Sequence, residues 1–208
     1  MNTAMNTQDV LDLFERHGAL KRGHFVLSSG LHSDTYLDKS VVSTYPEPTE
    51  TLCRALAEKI RADIPGAPAF VVSPAMGAIV YGYETARHLG TPFVFAERVD
   101  GAFAFRRFPL PDGAKVVVVE DIVSTGLSAR ECVEAARHAG ADVLGLACLI
   151  DRSGGMAEVG VPMTALAALN VEAWPADALP PHLAGTPAVK PGSRGLNEGR
   201  SSNGGRGA

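Results

Sequence analysis

The segment Lys115–Ser128, KVVVVEDIVSTGLS, restricts the possible folds of this chain more than any other. Four consecutive valines, Val116 to Val119, form a short β-branched run without a polar interruption, the pattern of a strand buried on both faces of a parallel sheet. Glu120 and Asp121 follow at its carboxyl edge, where open α/β sheets place their ligands and where two acidic acceptors suit vicinal ribose hydroxyls. Ser124, Thr125, Gly126, Leu127 and Ser128 then make a small-residue turn into a helix. Gly126 lets backbone approach a ligand closely, and exposed amides and hydroxyls at a helix N-terminus suit a phosphate dianion. The helix shows in Cys132, Val133, Ala136 and Ala139 and stops at Gly140. An ordinary Ser/Thr N-cap explains the hydroxyls but not adjacent acids plus glycine in this order. There is no Gly-Lys-Ser/Thr of a Walker loop, and no G-x-G-x-x-G follows a strand.

The remaining periodicity completes an α/β alternation. Val10, Leu11, Leu13, Phe14 and His17 predict a helix ending at Gly18. Leu52, Leu56 and Ile60 share a helical face, and Ile79 to Leu89 reads as a helix stopped by Gly90. Strands are expected near Phe70, Phe93, Val116 and Leu144, giving a parallel sheet with crossover helices. The 208 residues suffice for one domain with a full core, and the hydrophobic fraction of 46% is ordinary for a globular protein. A formal net charge of -4 argues against nucleic acid or an anionic membrane as the main partner. No apolar stretch reaches bilayer-spanning length, and the start MNTAMNTQD lacks the pattern of a secretory signal. Cys53, Cys132 and Cys148 have neither metal-site nor disulfide spacing, so they read as buried hydrophobes in a reducing, cytoplasmic compartment. From about Trp174 the chain turns to Pro, Ala and Gly, and residues 191–208 read as a flexible Gly-rich tail.

On the residues Val116 to Ser128, the chain resembles the type I phosphoribosyltransferases. The resemblance implies that Glu120 and Asp121 bind the ribose hydroxyls of phosphoribosyl diphosphate and that Ser124, Thr125, Gly126, Leu127 and Ser128 hold its 5′-phosphate. Gly23 to Lys39, GHFVLSSGLHSDTYLDK, is similar to the matching segment of orotate phosphoribosyltransferases, where it forms one wall of the pyrimidine site. Ser29, Gly30, Ser33, Thr35 and Tyr36 occupy the corresponding positions. Ser29 and Gly30 offer turn amides to carbonyl oxygens, and Tyr36 offers an aromatic face to a flat ring. A β-hairpin with a polar turn and a half-buried tyrosine would look the same. Arg152, after the apolar run Val143 to Ile150, matches the arginine that pairs with the orotate carboxylate, and Ser124 joins it at the base; a surface ion pair of Arg152 with Asp151 is the alternative. Pro74, Ala75, Met76 and Gly77 resemble the diphosphate loop, although the lysine carried there by many orotate enzymes is absent.

Glu97 to Phe108 aligns with the mobile loop that closes over the reacting centre, with Arg98, Arg106 and Arg107 where others place lysines and a histidine. The same stretch equally suits an exposed hairpin. In the first reading these arginines stabilise the departing diphosphate and, with Asp121, form the catalytic set; arginine serves electrostatically, because its pKa is too high for proton donation. The resemblance implies a small hood from residues 20–40 and about 160–172, including Met163 to Leu169, within one domain spanning 1–190. It further implies transfer of phosphoribosyl to orotate in pyrimidine biosynthesis, Mg²⁺ carried on substrate oxygens with no dedicated metal cage, and a homodimer. His24, His32 and Lys39 are possible contributors to proton transfer, and Pro191-Gly192-Ser193-Arg194 resembles a C-terminal segment of some orotate enzymes. A purine or uracil phosphoribosyltransferase, and a non-catalytic sensor of phosphoribosyl diphosphate, are the competing functions.

Overall fold

A computed structural model describes residues 5–27 and 29–191; the predicted flexible tail from residue 192 onward lies outside the described residues. In chain order the elements are α1 (Thr7–Arg16), β1 (Leu20–Val26), β2 (His32–Leu37), α2 (Lys39–Val42), α3 (Pro46–Asp63), β3 (Phe70–Pro74), α4 (Ile79–Leu89), β4 (Phe93–Val99), β5 (Ala102–Ala104), β6 (Lys115–Val123), α5 (Leu127–His138), β7 (Asp142–Asp151) and β8 (Met163–Ala168). Six strands form a sheet ordered β5-β4-β3-β6-β7-β8, parallel except for the edge hairpin of β4 with β5. The expected α/β class and parallel sheet with crossover helices are what the chain adopts.

Burial explains the layers. Val116, Val117, Val118 and Val119 have no exposed surface, each stabilising the fold by about 2 kcal/mol. Alternation sends Val116 and Val118 into a cluster with Cys132, Val133 and Ala136 of α5. Val117 and Val119 face the opposite side, where α3 and α4 pack. α4 ends as expected at Gly90, whose φ of 74° lets its amide reach the carbonyls of Ala86 and Arg87. The three cysteines are buried and unpaired, and burial raises the Cys53 thiol to about 12, so they behave as small hydrophobes.

Two expectations need correction. Met163 to Leu169 does not belong to a hood: Met163–Ala168 is β8, paired with β7 from Leu146↔Met163 to Asp151↔Ala168. Its mixture of small and larger apolar side chains, buried in the pattern of a partly covered strand, suits either sheet; its pairing with the ten-residue β7 makes it an edge strand of the larger one. Second, β6 does not end at the valines, because β7 keeps pairing with it as far as Val123↔Asp151, which puts Glu120 and Asp121 inside the strand. The N-cap of α5 is Gly126 with no side-chain cap, so the ordinary Ser/Thr cap weighed as the alternative is not what the chain adopts.

The chain forms two compact units. One holds the six-stranded sheet, with residues up to Leu20 and Leu37–Asn170. The other joins Lys21–Tyr36, the body of the β1–β2 hairpin, to the chain from Val171 onward. Within this second unit Trp174 and His32 exchange both backbone hydrogen bonds, and Val189 bonds to Val26 and His24. The stretch beginning at Trp174 is therefore tied to the hairpin as far as Val189, despite its Pro/Ala/Gly composition.

Candidate active site

β3, β6 and β7 are adjacent and parallel, so their carboxyl ends share one edge of the sheet. That edge gathers Pro74–Gly77, Glu120–Ser128 and Asp151–Arg152. Glu120 is 6% exposed and Asp121 1%. One oxygen of each is held locally: Glu120 Oε1 accepts from the Asp121 amide at 3.1 Å, and Asp121 Oδ1 from the Ile122 amide at 2.6 Å. Strand alternation separates the two acids. Glu120 lies on the α5 face, where burial first and its charge second push up the Cys132 thiol; Asp121 lies on the α4 face, where burial and then its charge push up the Tyr81 phenol.

Beyond β6, Ser124, Thr125, Leu127 and Ser128 are exposed while Gly126 is buried, with φ of 78°. A Cβ on Gly126 would stand 3.0 Å from Ala157 Cβ and 3.2 Å from Val159 Cγ1, so the following loop backs the turn and leaves no room for a side chain. The first amides of α5 have no intrahelical acceptors and open at this turn. The turn after β3 is similar in character: Ala75 donates its amide to Ala96 O at 2.8 Å, the Ala75–Met76 peptide is cis, and Met76 is 80% exposed.

Arg152 has an unusual environment. Its backbone amide bonds to Val123 O at 2.7 Å, which fixes it beside the end of β6. Its Nε is buried without a hydrogen-bond partner, and burial lowers its pKa. Asp151 does not pair with it: Asp151 Oδ1 accepts from the amide and hydroxyl of Ser153 at 2.7 and 2.6 Å. The surface ion pair considered from sequence is absent among the described residues.

Residues Glu97 to Phe108 contain the hairpin that sequence left as one of two options, turning at Asp100 and Gly101. Arg98 is committed to Gly101 O and Glu131, with its guanidinium 4.2 Å above the Phe103 ring. Arg107 bonds both oxygens of Glu97 at 3.0 Å. Arg106 is exposed and makes no ion pair among the described residues.

In the second unit, Ser29 and Gly30 form the tip of the β1–β2 hairpin. Gly30, at φ of 84°, donates its amide to Leu27 O at 2.9 Å, and Ser29 Oγ accepts from Leu31. Tyr36 is half-buried, 5.6 Å from the Phe25 ring. Ser33 and Thr35 turn inward, with Ser33 Oγ donating to Glu172 O and Thr35 Oγ1 bonded to Asp34 and Arg22. Sequence reasoning named His24 and His32 only loosely; their rings bond each other at 2.6 Å, and His24 Nδ1 faces the carbonyl and hydroxyl of Thr186. A carbonyl partner requires the proton on His24 Nδ1, so His32 Nδ1 donates to His24 Nε2.

Sequence reasoning also missed an apolar groove of about 910 Å³ beside α4, lined by Val80, Tyr83, Phe93, Phe95 and Phe108 among others. Val80 is 44% and Tyr83 63% exposed. Their spacing of three puts both on one helix face, a signal that was readable.

The phosphoribosyl transferase domain family model matches residues 45–174. Over 193 residues the chain is 58% identical to the orotate phosphoribosyltransferase of Phenylobacterium zucineum, covering 92% of this chain and 99% of that protein, and equally to that of Caulobacter vibrioides strain NA1000 / CB15N. The chain belongs to the orotate phosphoribosyltransferase family. Among solved structures, orotate phosphoribosyltransferase from Aeropyrum pernix superposes with a TM-score of 0.63 at 25% identity, covering 77% of this chain and 93% of that one. Adenine phosphoribosyltransferase from Thermoanaerobacter pseudethanolicus shares the fold alone, at 16% identity and a TM-score of 0.55 over 65% of this chain and 88% of that one. The purine alternative has no support comparable to that for the orotate phosphoribosyltransferase family.

Proposed function

We propose that the chain transfers the 5-phosphoribosyl group from phosphoribosyl diphosphate to orotate, giving orotidine 5′-monophosphate and diphosphate in pyrimidine biosynthesis. The observation that carries the choice of base is Arg152, a partly buried guanidinium whose Nε has no protein partner at the ligand edge of the sheet. Burying a cation without an acid is costly, and a planar carboxylate supplied by substrate would offset that cost through two parallel hydrogen bonds. Ser124 joins Arg152 at the base in this reading, and the resemblance assigns Ser29, Gly30 and Tyr36 of the second unit to base recognition. Glu120 and Asp121 hold the ribose, Ser124 to Ser128 the 5′-phosphate, and Pro74 to Gly77 the diphosphate through backbone amides.

Chemically, the bond from C1′ to the diphosphate oxygen breaks with its electron pair leaving on that oxygen, and a ring nitrogen of orotate forms the new bond to C1′. Asp121 and Glu120 orient the sugar as positive charge builds on it. In this reading Arg106, which is exposed, could balance the leaving group without first breaking an ion pair, whereas Arg98 and Arg107 would have to leave Glu131 and Glu97. No group of three or more His, Cys, Asp or Glu suited to a metal occurs among the described residues. In this reading Mg²⁺ would arrive with phosphoribosyl diphosphate and would supply charge neutralisation of the leaving group. Orotate absorbance is expected to fall when protein, phosphoribosyl diphosphate and Mg²⁺ are mixed, and chelation with EDTA to stop the loss. Turnover of adenine, guanine, hypoxanthine or uracil in place of orotate would overturn the base assignment; donor binding with no base consumed would favour a sensor.

The groove beside α4 is the proposed contact with a second copy. A ladder runs from Tyr83 through Phe93 and Phe95 to Phe108, with ring centroids 5.3–6.3 Å apart, and Glu50, Glu84 and Arg87 stand in the lining. An apolar stripe bordered by both signs of charge can meet its own two-fold image. Tyr83→Glu should therefore sediment as a monomer where the unaltered protein is a dimer. A Y83E protein that remains dimeric moves the interface elsewhere. Three unpaired buried thiols suit a reducing cytoplasm.

A further inference from the structure

Sheet connectivity reverses between β3 and β6. β3 leads through α4 to β4 on one side, and β6 through α5 to β7 on the other. In open α/β sheets the ligand crevice opens beyond such a pair. Between these two strands the backbone ladder runs Phe70↔Val116, Val71↔Val117, Val72↔Val118, and stops. On the outer sides pairing continues, β3 with β4 through Pro74↔Ala96 and β6 with β7 through Val123↔Asp151. Both strands are thus held from outside as their inner edges part.

At the point of parting, Ser73, fully buried, donates its hydroxyl to Val119 O at 2.7 Å. The next residues are Pro74 and the proposed diphosphate turn on one strand, and Glu120 and Asp121 on the other. A side chain therefore makes the last cross-link at the floor of the crevice. Its rotamer is enclosed by α4: a Cβ on Gly82 would lie 2.0 Å from Ser73 Oγ and 2.6 Å from Phe93 Cε2. The absence of a side chain at Gly82 is what leaves the hydroxyl its space.

We propose that Ser73 is a positioning residue for the donor substrate, its hydroxyl setting the separation between Pro74–Gly77 and Glu120–Asp121. The proposal rests on the phosphoribosyl-transfer reading above. Ser73 touches no substrate; it acts through the backbone of Val119 and Glu120 and through its own link to Pro74.

The test is Ser73→Ala, with KM for each substrate and Tm measured together. KM for phosphoribosyl diphosphate should rise about tenfold, as for one lost hydrogen bond, with KM for orotate unchanged. A lower Tm with both KM values unchanged would overturn the proposal and leave Ser73 a packing residue. If S73A does not fold, S73C fills the space of the hydroxyl with a thiol that donates only weakly to Val119 O. That variant should regain Tm yet keep the raised donor KM, and recovery of both would also overturn the idea. If the unaltered protein consumes no orotate, the functional reading fails separately. Calorimetric binding of phosphoribosyl diphosphate then decides for Ser73, with about tenfold weaker binding by S73A supporting it and equal affinity opposing it.

Discussion

Arg152→Ala lowers kcat/KM for orotate by about 10²- to 10³-fold, the scale expected when one partner of a buried charged pair is removed, and it does so without lowering Tm. The two halves of this expectation come from one observation. In the protein alone the guanidinium is partly buried, its pKa is lowered by that burial, and its Nε has no acceptor. The folded state bears a desolvation cost that alanine removes, so stability stays level or rises. Substrate binding loses the only guanidinium that the reading assigns to the carboxylate. Arg152→Lys should recover part of the activity, because an ammonium keeps the charge but not the planar pair of donors. Steady-state kinetics with thermal melts check both halves. An R152A protein with wild-type orotate KM and a depressed Tm would make Arg152 a structural residue.

Gly126→Ala should be nearly as damaging, through the donor substrate. An L-residue at φ of 78° costs about 1–2 kcal/mol in the left-handed region. The added methyl also meets Ala157 Cβ at 3.0 Å and Val159 Cγ1 at 3.2 Å. Either the loop carrying Ala157 and Val159 or the turn itself must give, and if the turn moves outward the amides at the start of α5 no longer converge on the 5′-phosphate proposed to bind there. Tm should fall by about 2–8 °C for a chain of this size. A displacement near 1 Å at such a site costs about 10²-fold in kcat/KM. Kinetics at saturating orotate, with the donor varied, measure this; an unchanged donor KM would mean that the phosphate binds elsewhere.

These two positions also show what a sequence can and cannot reveal. Val116 to Val119 was readable because a strand buried on both faces has no polar phase. Glu120 and Asp121 were readable as a pair by type and place, but their division between the α5 and α4 faces depends on how far β7 carries β6 beyond the valines. Gly126 was expected for close approach, yet its capping of α5 was hidden behind two hydroxyl residues that are better caps by propensity. Met163–Ala168 was assigned to the hood by resemblance, and its alanines, threonine and leucine, which suit any partly covered strand, gave no contrary signal; its partner is the edge of the strand just before it in sequence, β7. Ser73 carried no signal at all, since one serine in an apolar strand is unremarkable until the Val119 carbonyl is seen beside it. Arg152 was legible as a residue at the end of an apolar strand, while the absence of a pair with Asp151 required the Ser153 contacts to be visible.

The union of Lys21–Tyr36 with the chain beyond Val171 bears on the order of assembly during synthesis. His24 waits for Thr186, 162 positions later, and His32 waits for Trp174. At roughly 5–20 residues per second, the ribosome delivers the last strand of the large sheet, which ends at Ala168, only about 1–4 s before it delivers Thr186. Closing so long a loop is entropically slow, which makes this unit the last to consolidate. A chain stopped just short of Trp174 would keep the strands of its sheet and leave its hairpin unsupported, so residues 174–189 act as a completeness check on the segment proposed to recognise the base.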